Sequence, residues 1–305
     1  MKSNKQLEAN RFLSFFFQKD YKNKTFLDFF RVSVGLFAII HFLSCIRDFQ
    51  KLFGKNGIIP SDIQELWLLN SNYIITLPKI ISFFETFKIP EHSILNCFIL
   101  AYLLFAVFLT TGLFTRVSAF FLLVLQLAII KGAGIYMYGV DNFMTSALFY
   151  LTIFPSGYSL SLDNMIFKNR KAINLTPFRR LIQLHLCMVY FFSGIGKALG
   201  FNWWNGEAVW KSIHLPMANH YFRFDFSWLA ENHLLLIFLG WSIIIIETLY
   251  PIFIWIPKTR KLWLWLTISM HFGIAIVLNL YFFATLMIIL NLTAFYFTPS
   301  AEKTK

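Results

Sequence analysis

Charge is what this chain has least of. Only 14% of its 305 residues are Asp, Glu, Lys or Arg, against about 25% in an ordinary soluble domain. Hydrophobic residues make up 57%, with 38 Phe and 9 Trp among them. That balance excludes a solvated disordered chain and a soluble globular domain, and points to a polytopic membrane protein. Cysteine is also scarce. Cys45, Cys97 and Cys187 are odd in number, lie inside apolar runs and include no pair at metal-ligand spacing. They read as small buried apolar residues, not as a disulfide framework or a thiolate site. No two histidines stand at i, i+4 on one helix, so no metal site is expected. Low-complexity linkers, internal repeats and a separate soluble domain are missing as well. Acidic residues number 15 against 27 basic ones, a net charge of +12. Such an excess could suit nucleic acid, but the basic residues fall between apolar runs. There they serve membrane topology and anionic lipid, and no nucleic-acid partner is expected.

What is present is a series of long apolar runs. About 20 such residues cross the hydrocarbon core as a helix. The pattern predicts an all-α, polytopic transmembrane helix bundle of eight spans: 26–46, 94–113, 117–135, 142–157, 178–199, 233–256, 262–279 and 282–298. No small-residue cleavage site follows the first run, so it reads as an uncleaved span. Lys131-Gly-Ala-Gly134 and Tyr136–Asp141 interrupt the third and fourth. In the loop 47–93, the stretches Ile63–Leu69 and Leu77–Phe87 are too short to span and suit the interface. Residues 1–25 then form a basic cytoplasmic segment, 26–298 one membrane domain and 299–305 a short cytoplasmic tail. With the N-terminus inside, 17 of the 27 Lys and Arg face the cytoplasm and 8 the opposite side, leaving Arg31 and Lys197 within spans. Both termini are therefore placed in the cytoplasm, and a bacterial source would make this a cell-membrane protein.

Ionisable residues inside spans are functional candidates, because burying them in hydrocarbon is costly. Counting about 1.5 Å of rise per residue groups Arg31, His185, Glu247 and His271 in an inner layer. This layer reads either as a proton path or polar pocket, or as a satisfied structural network with Arg31 snorkelling inward. Towards the outer face, Lys197 shares a helical stripe with Ser193 and Tyr190. Gly194, Gly196 and Gly200 leave room around it, and Trp203 and Trp204 begin an interfacial aromatic belt. Asp141 and Asn142 open the fourth span on that side, and His41 lies in the outer third of the first. Two roles are open for Lys197: a desolvated amine acting as a base, or a snorkelling cation among Trp203 and Trp204 paired with Asp141.

The run Val189-Tyr-Phe-Phe-Ser-Gly-Ile-Gly-Lys197-Ala-Leu-Gly-Phe-Asn-Trp203-Trp204-Asn-Gly206 resembles the horizontally transferred transmembrane domain family, to which the membrane part of vitamin K-dependent γ-carboxylase belongs. Supporting pieces occur in order: Leu52-Phe53-Gly54-Lys-Asn-Gly57-Ile-Ile-Pro60, Tyr138-Gly139-Val-Asp141 and Met270-His271-Phe-Gly273. The resemblance covers about residues 25–298. It implies a lysine base at Lys197 on the extracytoplasmic side, with Asp141 and Asn142 as catalytic neighbours and His41, Tyr190, Ser193, Trp203 and Trp204 around the substrate. It also implies a reduced quinone as the co-substrate. Two departures stand out. The family's Asn-His pair reads Asp141-Asn142 here, and residues 200–232 leave no room for a large external domain between the fifth and sixth spans. Members associated with sporulation-delaying peptide toxins have about this length. The expected function is thus a quinol- or lipid-dependent membrane enzyme. The alternative is a non-catalytic accessory or transport protein, for example in maturation or export of a secreted peptide. Its expected partners are the bilayer, a quinone or other lipid-soluble ligand, and a secreted peptide or partner protein.

Overall fold

The computed structural model describes residues 24–60, 63, 75–132, 136–167 and 173–297. The basic segment before residue 24, the interfacial stretch 64–69, the basic residues 168–171 and the tail 299–305 lie outside them. Among the described residues all regular structure is helical. Each of the eight apolar runs falls on a helix. Six helical segments are long and apolar enough to cross a bilayer: Thr25–Phe53, Glu91–Thr111, Thr115–Gly132, Thr176–Ala198, His233–Phe253 and Pro257–Leu278. This is the make-up of a multi-pass membrane protein. The fourth and eighth runs form shorter helices, Gly139–Ile153 with 15 residues and Tyr281–Asn291 with 11. The three cysteines are free thiols.

The chain, expected from its sequence to form one membrane domain over 26–298, divides into two compact units, Leu27–Lys171 and Ala172–Lys305 with Met1–Phe26. The first contains α1 (Thr25–Cys45), α2 (Phe49–Phe53), α3 (Leu77–Glu85), α4 (Glu91–Thr111), α5 (Thr115–Gly132), α6 (Gly139–Ile153) and α7 (Leu162–Ile166). Gly112 ends α4 in the left-handed region at φ +77°. A side chain there would also strike Ser161 and the Arg31 guanidinium. This close approach lets three chain segments meet around one cation. Arg31, 1% exposed, donates to the carbonyls of Ser156 at 3.1 Å and Leu109 at 3.0 Å, and to those of Thr110 and Leu160. At the α4 C-terminus the Leu109 carbonyl also takes the Gly112 N–H at 3.2 Å, and Arg31 completes the cap there and at the Thr110 carbonyl. Asp163 accepts from the backbone N–H groups of Phe114 and Thr115 and from the Thr115 hydroxyl at 2.6–2.9 Å, capping α5 from outside. Asp28 accepts from the Leu160 N–H. Arg31 therefore has no need to snorkel, and its four acceptors are main-chain atoms.

The second unit contains α8 (Thr176–Ala198), α9 (Phe201–Trp204), α10 (Glu207–Ile213), α11 (Trp228–Glu231), α12 (His233–Phe253), α13 (Pro257–Leu278) and α14 (Tyr281–Asn291), which runs on as a π-helical turn, Leu292–Tyr296. Pro177 and Pro257 sit in the first turns of α8 and α13, where a missing N–H costs nothing. The helices α8 and α12 are antiparallel. A Cβ on Gly194 would lie 2.4 Å from Thr248 Oγ1, so glycine sets their separation there, and one on Gly206, which precedes α10, would lie 2.8 Å from Leu236, so that turn packs closely on α12. Between them, Val209, Ile213, Leu229 and Leu236 bury a small apolar core under Trp203 and Trp210. Glu207 on α10 bonds Lys211 at 2.6 Å, which holds its carboxyl below the ordinary carboxylate range.

Candidate functional site

The polar residues of the second unit meet in two groups. Lys197 Nζ donates to Ser193 Oγ and to Glu247 Oε2, both at 2.6 Å. The lysine side chain is 22% exposed and the glutamate 8%. The Trp203 ring lies 5.4 Å from the ammonium, a cation–π contact. Depth counting set Glu247 in an inner layer and Lys197 in an outer one, yet the two side chains touch. Helical Cα–Cβ bonds tilt towards the N-terminus. On antiparallel helices Lys197 therefore leans down α8 while Glu247 leans up α12, and the lean closes the offset. Pro251 sits four residues beyond Glu247 inside α12, so the Glu247 carbonyl lacks its helical N–H donor. The adjacent Ile246 carbonyl takes the Trp263 indole N–H at 3.0 Å. The acid thus stands at a break in the helical ladder.

The second group is a chain of three 2.7 Å bonds across four helices. Tyr250 donates to Asn291 Oδ1, Asn291 Nδ2 donates to the Tyr190 hydroxyl, and Tyr190 meets His271 Nε2. Asn291 Nδ2 also donates to the Met287 carbonyl at 2.8 Å. A carbonyl only accepts, so this bond fixes the amide orientation. The tautomer of His271 decides which of Tyr190 and Nε2 donates in that bond. In either case the group ends in His271 Nδ1, a buried polar atom with no hydrogen-bond partner among the described residues. Near it, Gln183 donates to the Ala294 carbonyl at 2.7 Å inside the π-helical turn, where the helical ladder is altered.

The other expected site residues are distributed as follows. His185 is half-buried on α8. Trp204 donates to the Ala198 carbonyl at 2.6 Å and meets Trp241 edge-on. His41 and Asp141 lie in the first unit, in the lining of a cavity of about 250 Å³ wholly within that unit. Asn142 is exposed and outside that lining. Asp141 Oδ2 accepts from the Tyr138 N–H at 3.1 Å, closing the first turn of α6.

Several residues escaped the sequence reading: Tyr250 and Asn291 in the second unit, Gln126, Tyr102 and Tyr136 around the cavity, and Asp28 and Asp163 beside Arg31. No known protein family, curated protein or solved structure matches the chain.

Proposed function

We propose that this multi-pass membrane protein is a membrane-embedded proton-transfer enzyme acting on a lipid-soluble weak acid such as a reduced quinone. Lys197 is its base, as in the horizontally transferred transmembrane domain family it resembles. The observation that carries this reading is the contact of Lys197 with Glu247 and Ser193, each at 2.6 Å, within a helix pair of membrane-span length. An ammonium and a carboxylate in hydrocarbon are costly, and moving one proton between them removes both charges. The ammonium passes its proton to Glu247, leaving a neutral amine beside a neutral acid. The amine then takes the proton of a phenolic hydroxyl, and the phenolate remains paired with the new ammonium. Ser193 orients the nitrogen, and Trp203 covers it.

In this reading the chain crosses the membrane eight times with both termini cytoplasmic, the two shorter helices included, and Lys197 faces the extracytoplasmic half. The experiment is to purify the protein, identify co-extracted quinones or lipids by mass spectrometry, and measure its thermal stability with a reduced quinone. A bound quinone and a rise in melting temperature that Lys197→Met removes are expected. A preparation free of quinone that no quinol stabilises contradicts the reading.

A further inference from the structure

The cavity of the first unit has its own chemistry. It lies where α1, α5 and α6 meet, at the end of the unit remote from Arg31, and holds about 250 Å³. Phe42 and Tyr102, stacked 4.0 Å apart, and Phe53 give it aromatic walls. Three polar groups there have unfilled hydrogen-bonding capacity. Gln126, 3% exposed, accepts from the Tyr102 hydroxyl through Oε1 at 2.6 Å, and its Nε2 has no partner among the described residues. The Tyr136 hydroxyl is buried without one. Asp141 uses one oxygen on the Tyr138 N–H, and the other is unoccupied.

The charge balance selects among ligands. No Lys or Arg lines the cavity, although the chain carries 27. Of the cations flanking it, Lys51 is met by Asp48 at 3.2 Å and Lys55 by Glu85, while Arg47 and Lys131 lie outside the lining. Asp141 makes no ion pair with a Lys or Arg among the described residues, and the one basic side chain in the lining, His41, interacts with that carboxylate electrostatically. An anion would face the carboxylate with only that imidazole to offset it. A cation would meet both the carboxylate and the negative faces of the rings. Gln126 Nε2, being a donor, asks for an acceptor oxygen in the same ligand.

We infer that this cavity is a binding site for a small organic ammonium ion carrying a neighbouring hydroxyl or carbonyl oxygen. The ammonium sits between Asp141 and the aromatic walls, and the oxygen takes the Gln126 and Tyr136 donors. The inference does not rest on the proposed function, which is built on Lys197, Glu247, Ser193 and Trp203.

The test is isothermal titration of the full chain in nanodiscs with 2-amino-1-phenylethanol and with its neutral isostere 1-phenylethane-1,2-diol. The amine is expected to bind about tenfold or more tightly than the diol, and Asp141→Asn to abolish the difference. Tyr136→Phe, which keeps the ring, is expected to weaken the amine while leaving the protein folded, as judged by an unchanged melting temperature. Equal binding of amine and diol, or binding of neither to the wild-type protein, leaves a merely hydrated cavity and overturns the inference. So does amine binding untouched by Asp141→Asn.

Discussion

At the scale of single residues, Arg31 and Lys197, the two cations inside predicted spans, are handled in opposite ways. Arg31 is surrounded by main-chain carbonyls, so its charge serves the fold. Replacing it by Leu strands the Ser156, Thr110 and Leu160 carbonyls, each costing about 1–3 kcal/mol when buried unpaired, while Leu109 keeps the Gly112 N–H. The predicted result is loss of the folded protein from the membrane fraction, with Arg31→Lys only partly restoring it, because an ammonium cannot fork to four oxygens. Normal levels of Arg31→Leu would count against the capping role. Lys197 instead meets one ionisable partner. Glu247→Gln should keep the hydrogen bond and the fold, but remove the group that stores the proton. Quinol-dependent stabilisation is expected to fall about tenfold or more in apparent affinity for both Glu247→Gln and Lys197→Arg. If Arg substitutes fully, a fixed positive charge is enough and no base is involved.

At the scale of elements, α8 and α12 depend on glycine at one position and tolerate it at another. A Cβ at Gly194 would lie 2.4 Å from Thr248 Oγ1 and 2.6 Å from its backbone nitrogen, whereas one at Gly196 meets nothing within 4 Å. Gly194→Ala should therefore destabilise by about 1–3 kcal/mol, and Gly196→Ala should stabilise by about 0.5–1 kcal/mol. Thermal melts in one detergent compare the two, and equal shifts would refute the packing described here. Eight helices were legible in the sequence because apolar runs punctuated by Gly112, Pro177, Pro257 and Asn279 leave little choice of start and stop. The polar contacts were much less legible. Arg31's acceptors are backbone atoms, invisible to any reading of side chains. Asn291 and Gln126 are amides and Tyr250 is an uncharged phenol, so none drew attention. Depth counting separated Lys197 from Glu247 because it treats side chains as points at their own Cα level.

At the scale of the whole molecule, the charge asymmetry of the connecting segments predicts an orientation that can be checked directly. A membrane-impermeant thiol reagent added outside intact cells, with the native cysteines removed, should label Lys211→Cys and spare Lys258→Cys; both positions are exposed. The reverse pattern would invert the topology and put Lys197 on the cytoplasmic half. The central claim is that Lys197 draws a proton from a bilayer-borne weak acid. Its most direct test is the absorption spectrum of a prenylated naphthol, which cannot complete any oxidative step, bound to the protein in nanodiscs near neutral pH. The account predicts the red-shifted naphtholate band with the wild-type protein and the neutral naphthol band with Lys197→Met and Lys197→Arg. A neutral naphthol bound to the wild-type protein, or the same naphtholate band with arginine at position 197, would contradict it.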